Sequence, residues 1–317
     1  MKSDAAARQN ETLVEDRNST RSRMLGLWSA LVAFNIWGVL PIYWKLLSFI
    51  SPQLILLYRI FWSYVFLLAI VLKSGKLRQT FALLKHRRTA ITVTVCSILL
   101  TGNWFIFIWA VNSGHIVETS LGYFLNPLIN MILGVIFFRE RPDPLQWLAI
   151  LIAFSGVAVQ VWIFGRLPWI ALSLGTSFAL YGMLRKTETI DSVPGLFLET
   201  SVMFPLVTAG LIWFWINGDT SLITSVPQTL LIMCAGIFTS IPLLLFAYSA
   251  QRLSLTTLGL TQYISPSISL LIGVFIYGEP LTSGHLISFM LIWIALAIYT
   301  FESIRLYRKA TNLNWRE

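Results

Sequence analysis

The sequence predicts an all-α polytopic membrane protein of ten transmembrane helices, arranged as two inverted repeats of five. Three observations predict it. Hydrophobic residues fill 56% of the 317 positions and charged ones 12%, against roughly 45–50% and about 25% in soluble domains. Apolar runs of about 20 residues recur along the chain, enough at ~1.5 Å per residue to cross roughly 30 Å of hydrocarbon, whereas membrane strands would alternate over about 10 residues. Finally, "LNPLINMILGVIFFRE" (125–140) returns 139 residues later as "ISPSISLLIGVFIYGE" (264–279), with Pro127, Gly134 and Glu140 matched by Pro266, Gly273 and Glu279.

Taken in order, residues 1–23 are polar and mixed in charge and lack the apolar core of a cleavable signal, so they are expected to form a disordered cytoplasmic tail. The first span, 24–44, carries Asn35 and Trp37 and closes at Pro41 and Lys45; the second, 54–72, follows Pro52 and contains Arg59. The longest connection, 73–89, holds six basic residues and is too short for a soluble domain. Spans three to five are expected at 90–111, 117–138 and 145–164, with Asn103 and Trp104 in the third and Glu118, Tyr123, Asn126, Pro127 and Asn130 in the fourth. The sixth to eighth, 167–184, 196–216 and 227–249, hold Tyr181, Glu199 and Tyr248. The ninth, 256–277, holds Gln262, Tyr263, Ser265, Pro266 and Ser267; the tenth is 284–303, before a short cytoplasmic tail at 305–317.

The formal charge of +9 is topogenic. With the N-terminus in the cytoplasm, 20 Lys and Arg fall on the inside, two outside (Lys45 and Arg166) and one, Arg59, within a span. That is the positive-inside asymmetry, and it removes the case for nucleic acid, since no folded domain would present a basic patch. Cys96 and Cys234 both lie within spans, so no disulfide or redox role is indicated.

The match of 109–140 with 248–279 includes six identities; Trp28, Ala30, Leu31 and Lys45 match Trp169, Ala171, Leu172 and Lys186 at a spacing of 141, and Arg59 falls opposite Glu199 at 140. A unit of five spans is odd, so the second copy enters the membrane from the other side. Inverted repeats of this kind place a substrate site near the midplane, between the halves. Pro127 and Pro266 cannot donate to the carbonyls of Tyr123 and Gln262. Such carbonyls are tolerated where protein or a wet cavity satisfies them, so the two prolines are expected to act as hinges facing a cavity; kinks packed against neighbouring helices are the alternative.

Several stretches occur in order: Trp37-Gly38 with Pro41 and Lys45, "SPQLILLYR", "ETSLGYFLNPLINMILGVIFFRE", "YGMLRK", "LFLET" and "LTTLGLTQYISPSISLLIGVFIYGEP". Together they resemble the EamA-type drug/metabolite transporter superfamily, and more narrowly its RarD-like branch, named for chloramphenicol sensitivity. The resemblance covers about residues 25–303 and implies a first EamA-like repeat over 24–164 and a second over 165–304. It also implies cytoplasmic termini and a central cavity lined by spans one, three, four, six, eight and nine. Substrates of the superfamily include amino acids, metabolites and drugs, so cargo stays open.

The substrate-cavity candidates are Asn35, Trp37, Asn103, Trp104, Tyr123, Asn126, Tyr181, Tyr248, Gln262, Tyr263 and Ser265. For Asn103 a helix–helix hydrogen bond competes with substrate contact, and Tyr or Trp near span ends can be interfacial anchors. The intramembrane charges Arg59, Glu118 and Glu199 are functional candidates because ionisable groups are costly there. Glu118 is the expected partner of Arg59, and Arg185 or Lys186 of Glu199; structural ion pairs and coupling sites both remain open. His86, His115 and His285 are scattered, and neither metal-ligand spacing, a phosphate loop nor a nucleophile motif occurs, so no metal, cofactor or catalytic residue is expected.

The reading is therefore a secondary transporter, not an enzyme, that moves a small organic metabolite or drug-like compound across the inner membrane by alternating access, as an exporter. It sits in the lipid bilayer, with protons a possible coupling ion and a homodimer a possible assembly. A channel or scaffold and an intramembrane enzyme are the rivals.

Overall fold

The computed structural model describes residues 2–112, 116–164, 169–218, 225–278, 286–287, 290–295, 297–299, 301–302 and 305; side chains are described from residue 20 onward, with those of 108, 111–121, 160 and 163–164 also outside the description. The described helices are α1 (Lys2–Leu46), α2 (Pro52–Lys73), α3 (Leu77–Ala82), α4 (Arg87–Asn112), α5 (Ile116–Phe138), α6 (Pro144–Phe164), α7 (Trp169–Thr187), α8 (Ser192–Ile216), α9 (Val226–Ala250), α10 (Leu255–Gln262) and α11 (Ile264–Phe275). No strand occurs among the described residues.

Six of these stretches are long and apolar enough to cross a bilayer: Thr20–Leu46, Pro52–Lys73, Arg87–Phe107, Ser192–Ile216, Val226–Ala250 and Leu255–Phe275. Within the residues whose side chains are described, apolar stretches also run over Gly122–Phe138 of α5 and Pro144–Val159 of α6. α7 is not among them because Ser173, Thr176, Ser177, Tyr181, Arg185 and Lys186 dilute its apolar character. A helix can be this polar where protein surrounds it, and α7 packs between α4, α5 and α9.

Two expectations are corrected. Residues 2–23 are not a disordered tail but the first turns of α1. Helix formers such as Ala5, Ala6, Ala7, Glu11 and Leu13, free of Gly and Pro, extend an existing membrane helix without a second nucleation cost. The expected ninth span is not one helix: it breaks at Tyr263 into α10 and α11. The connection 73–89 contains α3 and a 3-10 turn at Leu83–Lys85, with α3 against α8.

Helix ends follow local chemistry. Ser51 accepts from the Leu54 amide at the start of α2, with Pro52 in its first turn, and Ser225 forms a capping box with Gln228 at the start of α9. α2 and α8 end alike, at Ser74–Gly75 and Asn217–Gly218, where the glycines take φ of 68° and 80°. That left-handed turn is one that only glycine adopts without strain. The residues before Glu140 and Glu279 are also left-handed: Arg139 at φ 52° and Gly278 at φ 66°.

The main packing joins the chain's two halves. α5 lies along α7 and α10, α2 between α8 and α9, α1 against α9 and α11, and α4 against α7 and α8. The largest buried cluster accordingly mixes Phe34, Leu67, Cys96 and Leu133 with Tyr181, Phe197, Phe246 and Leu258. Close approach depends on small residues. A Cβ at Gly236 would strike the backbone of Trp62, and one at Gly259 would lie 2.6 Å from the carbonyl oxygen of Pro127. The end of the bundle where α1 begins and α2 finishes is called basal below, and the opposite end distal.

Candidate functional site

The site is built along one face of α5. Tyr123, Asn126, Pro127 and Asn130 stand at i, i+3, i+4 and i+7, so they form a single stripe. Along it exposure falls from 53% at Tyr123 to 7% at Asn126 and 0% at Asn130. The Asn130 amide donates to Gln262 Oε1 at 2.6 Å and to Asn126 Oδ1 at 3.1 Å, so an amide ladder links α5 to the end of α10. Asn130 Oδ1 is buried without a partner. On the distal side of the ladder Tyr263, wholly buried at the α10–α11 break, donates its hydroxyl to the Phe124 carbonyl at 3.2 Å.

The two prolines differ. Pro127 lies inside the uninterrupted α5, and Gly259 lets α10 approach its carbonyl. Pro266 occupies the first turn of α11, just after the break, where a missing N–H leaves no interior hydrogen bond unmade. Expecting two equivalent interior defects therefore overlooked the break at Tyr263. Beside it Ser265 is half-buried and its carbonyl faces Gly38 of α1.

The basal half is closely packed. Phe34 and Trp37 of α1, Phe178 and Tyr181 of α7 and Phe246 of α9 form one aromatic cluster, with ring centroids 5.1–6.2 Å apart. Glu140, just past the end of α5, accepts from the Leu255 amide at 2.6 Å, the Thr256 amide at 3.0 Å and the Thr256 hydroxyl at 2.6 Å. A carboxylate on the first turn of α10 satisfies donors that the helix cannot and meets the positive end of its dipole. Lys186 donates to the Leu253 carbonyl and lies over the Phe138 ring, 5.2 Å from its centroid, so it ties α7 to the same region.

Glu199 and Arg185 form a buried ion pair at 3.3 Å, and the Tyr181 hydroxyl donates to the other carboxylate oxygen at 3.2 Å. The Ser97 hydroxyl reaches the Glu199 carbonyl at 3.0 Å. Gly195 makes room, for the Arg185 guanidinium lies where a Cβ would stand. Of the two partners expected for Glu199, Arg185 takes the role and Lys186 does not.

The distal half holds Arg59. Its guanidinium lies 4.2 Å from the Trp104 ring centroid and 5.0 Å from that of Trp44, with Tyr123 near enough to interact electrostatically. The Nε is buried with no hydrogen-bond partner. Glu118, its expected partner, lies outside the residues whose side chains are described.

The remaining candidates lie apart from this stripe. Asn103 donates to the Leu174 carbonyl at 2.8 Å and to Ser177 Oγ at 2.9 Å, joining α4 to α7. Asn35 donates back to the Leu31 carbonyl at 2.7 Å, on an exposed strip with Val32 and Val39. Tyr248, near the basal end, carries the Arg252 guanidinium 3.4 Å from its ring centroid. Sequence reasoning passed over Trp44, Phe178 and Phe246, which look like ordinary membrane aromatics, and Glu140, for which the repeated glutamate was a usable signal. No group of His, Cys, Asp and Glu among the described residues could hold a metal ion.

Comparison with known proteins agrees with this architecture. The model of the "EamA-like transporter family" matches the chain twice, over residues 24–162 and 168–301. Protein RarD of Salmonella typhi is 42% identical over 93% of this chain and 99% of its own length. An uncharacterized transporter of Vibrio cholerae is 41% identical over 88% and 93%. A crystal structure of a protein 18% identical to the chain superposes with a TM-score of 0.66, covering 87% of this chain and 97% of that one, which is a likeness of fold. Matched by the family over both stretches and by RarD over nearly its whole length, the chain belongs to the EamA-like transporter family, in its RarD-like branch.

Proposed function

We propose that the protein is a secondary transporter of small organic metabolites or drug-like compounds, working by alternating access as an exporter in the inner membrane. The observation that carries this reading is the gradient along α5. An interior-facing stripe that is exposed at Tyr123 and wholly buried at Asn130 describes a recess open distally and closed basally by Glu140 and the aromatic cluster. One end open and the other shut is the state alternating access requires.

The chain is proposed to comprise ten spans in two inverted units, 24–164 and 165–304. Paired helix ends support this: Gly75 with Gly218, and Arg139 with Gly278, share left-handed backbone. So does the double family match. Each unit packs mainly on the other, so the two act as halves of one body. With the basal side cytoplasmic, as the positive-inside asymmetry favours, both termini lie inside. Glu199, engaged by Arg185 and Tyr181, is assigned a structural role rather than that of a free proton carrier.

Flux into proteoliposomes of a panel of amphenicols, amino acids and nucleobases, with and without a proton gradient, tests the reading. Saturable, counterflow-competent movement of at least one compound is expected. Linear leak for all of them, or ion-channel conductance, would refute it. Reporter fusions at both ends test the topology, and a terminus found on the outside would sink it.

A further inference from the structure

The described residues contain two ion pairs, Arg185–Glu199 and Arg305–Glu302, and Arg59 belongs to neither. It sits seven residues into α2, in the distal third of the bundle, with its Nε enclosed and unpartnered. Two indoles hold its guanidinium, Trp104 from α4 and Trp44 from the end of α1. Tyr123, the exposed end of the α5 stripe, lies beside it. A cation at membrane depth needs a counter-charge, and aromatic faces supply only part of one. Four helices thus bring a charge, a hydroxyl and two indoles to the mouth of the recess, and no described carboxylate neutralises them.

We propose that Arg59 is the recognition group for a substrate bearing a carboxylate, whose apolar body rests in the aromatic surround of Trp44, Trp104 and Tyr123. This names the substrate class for the transport reading above and rests on it for its purpose, though not for its test. With Nε enclosed, the two terminal nitrogens form the fork that meets a planar carboxylate end-on. One cation with no second basic side chain acting on it among the described residues matches a monoanion; a phosphate dianion would stay half uncompensated. Once the anion leaves, the charge is again exposed to the distal opening, so binding need not be irreversible.

The test is a titration of the full-length protein in lipid nanodiscs, read by tryptophan fluorescence, with benzoate and phenylacetate against neutral benzamide and phenylacetamide at constant ionic strength. In the unmodified protein each acid is expected to bind at least about tenfold tighter than its amide. Arg59→Gln should weaken the acids ~10–100-fold, the range of a lost charge-assisted hydrogen bond, and leave the amides unchanged. Glu118→Gln should keep the preference for acids. If Arg59→Gln does not reach the membrane, Arg59→Lys keeps the charge but not the planar fork, and acid affinity must still fall at least about fivefold. Equal binding of acids and amides, acid binding that survives loss of Arg59, or loss of it in Glu118→Gln overturns the assignment. Acid selectivity without flux would leave this site and remove transport, whereas flux of neutral compounds with no preference for acids would leave transport and remove the site.

Discussion

Arg185 and Glu199 meet at 3.3 Å with 1% and 2% of their side chains exposed, one from the last turn of α7 and the other from the second turn of α8. Each offsets a charge that neither solvent nor lipid reaches. Glu199→Gln is expected to cost about 3–5 kcal/mol, because it leaves an unpaired buried cation. Replacing both with apolar residues, Arg185→Met with Glu199→Leu, should recover most of that loss. Unfolding in mixed micelles measures both variants, and a double variant no better than the single would contradict the argument.

Gly195 holds the same pair together by having no side chain. In Gly195→Ala the added methyl would occupy the space of the Arg185 guanidinium, with a loss of about 1–3 kcal/mol from overpacking. Gly75→Ala meets only open space, so it should show no more than the strain of its left-handed φ, roughly 1 kcal/mol. Melting curves of the two variants should rank in that order.

Glu140 joins the end of α5 to the start of α10 through three hydrogen bonds. Glu140→Gln keeps the shape but removes the charge and one acceptor, an expected loss of about 1–3 kcal/mol. On the transport reading it also loosens the basal seal. Leu255→Cys, wholly buried in the intact protein, should then be alkylated faster from the basal side in the Glu140→Gln background, and an unchanged rate would argue that the seal lies elsewhere.

Asn130, wholly buried, bridges Asn126 and Gln262. Asn130→Ala leaves both acceptors without that donor, at about 1–3 kcal/mol. Asn130→Asp should be worse still, since a carboxylate would face two amide oxygens. Thermal stability in detergent distinguishes the two.

The prolines should not behave alike. Pro127→Ala returns an N–H to the interior of α5 and stiffens it, so transport is expected to slow by roughly threefold or more while membrane insertion is kept. Pro266→Ala adds a donor to a first turn that has no use for it, because the chain already breaks at Tyr263. Its turnover should stay close to that of the unmodified protein, and initial flux rates in proteoliposomes decide between them.

Much of the membrane architecture was legible along the chain, for clear reasons. Span positions follow from apolar length, which is local, and charge asymmetry is a count. The conspicuous polar residues of α5 and α10, Asn126, Asn130 and Gln262, also stood out, because amides are rare among aliphatic neighbours. What stayed hidden were roles that depend on partners far away in sequence. Trp44 and Trp104 become an arginine's surround only once α1 and α4 converge on α2. Asn35 and Asn103 look equivalent in sequence, yet one bonds to its own helix and the other to α7.

By itself the sequence determined that the chain lives in a bilayer as helices and that it is internally repeated, because hydrocarbon requires every backbone group to be paired within its own segment. Only the tertiary structure decided that Arg185 rather than Lys186 holds Glu199, that the second proline follows a break instead of making one, and that exposure along the α5 stripe falls from Tyr123 to Asn130. Those outcomes depend on which helix faces which and on where a turn of helix ends, and even Arg185 and Glu199, 14 positions apart, pair across two helices in a way that the local pattern of neither records.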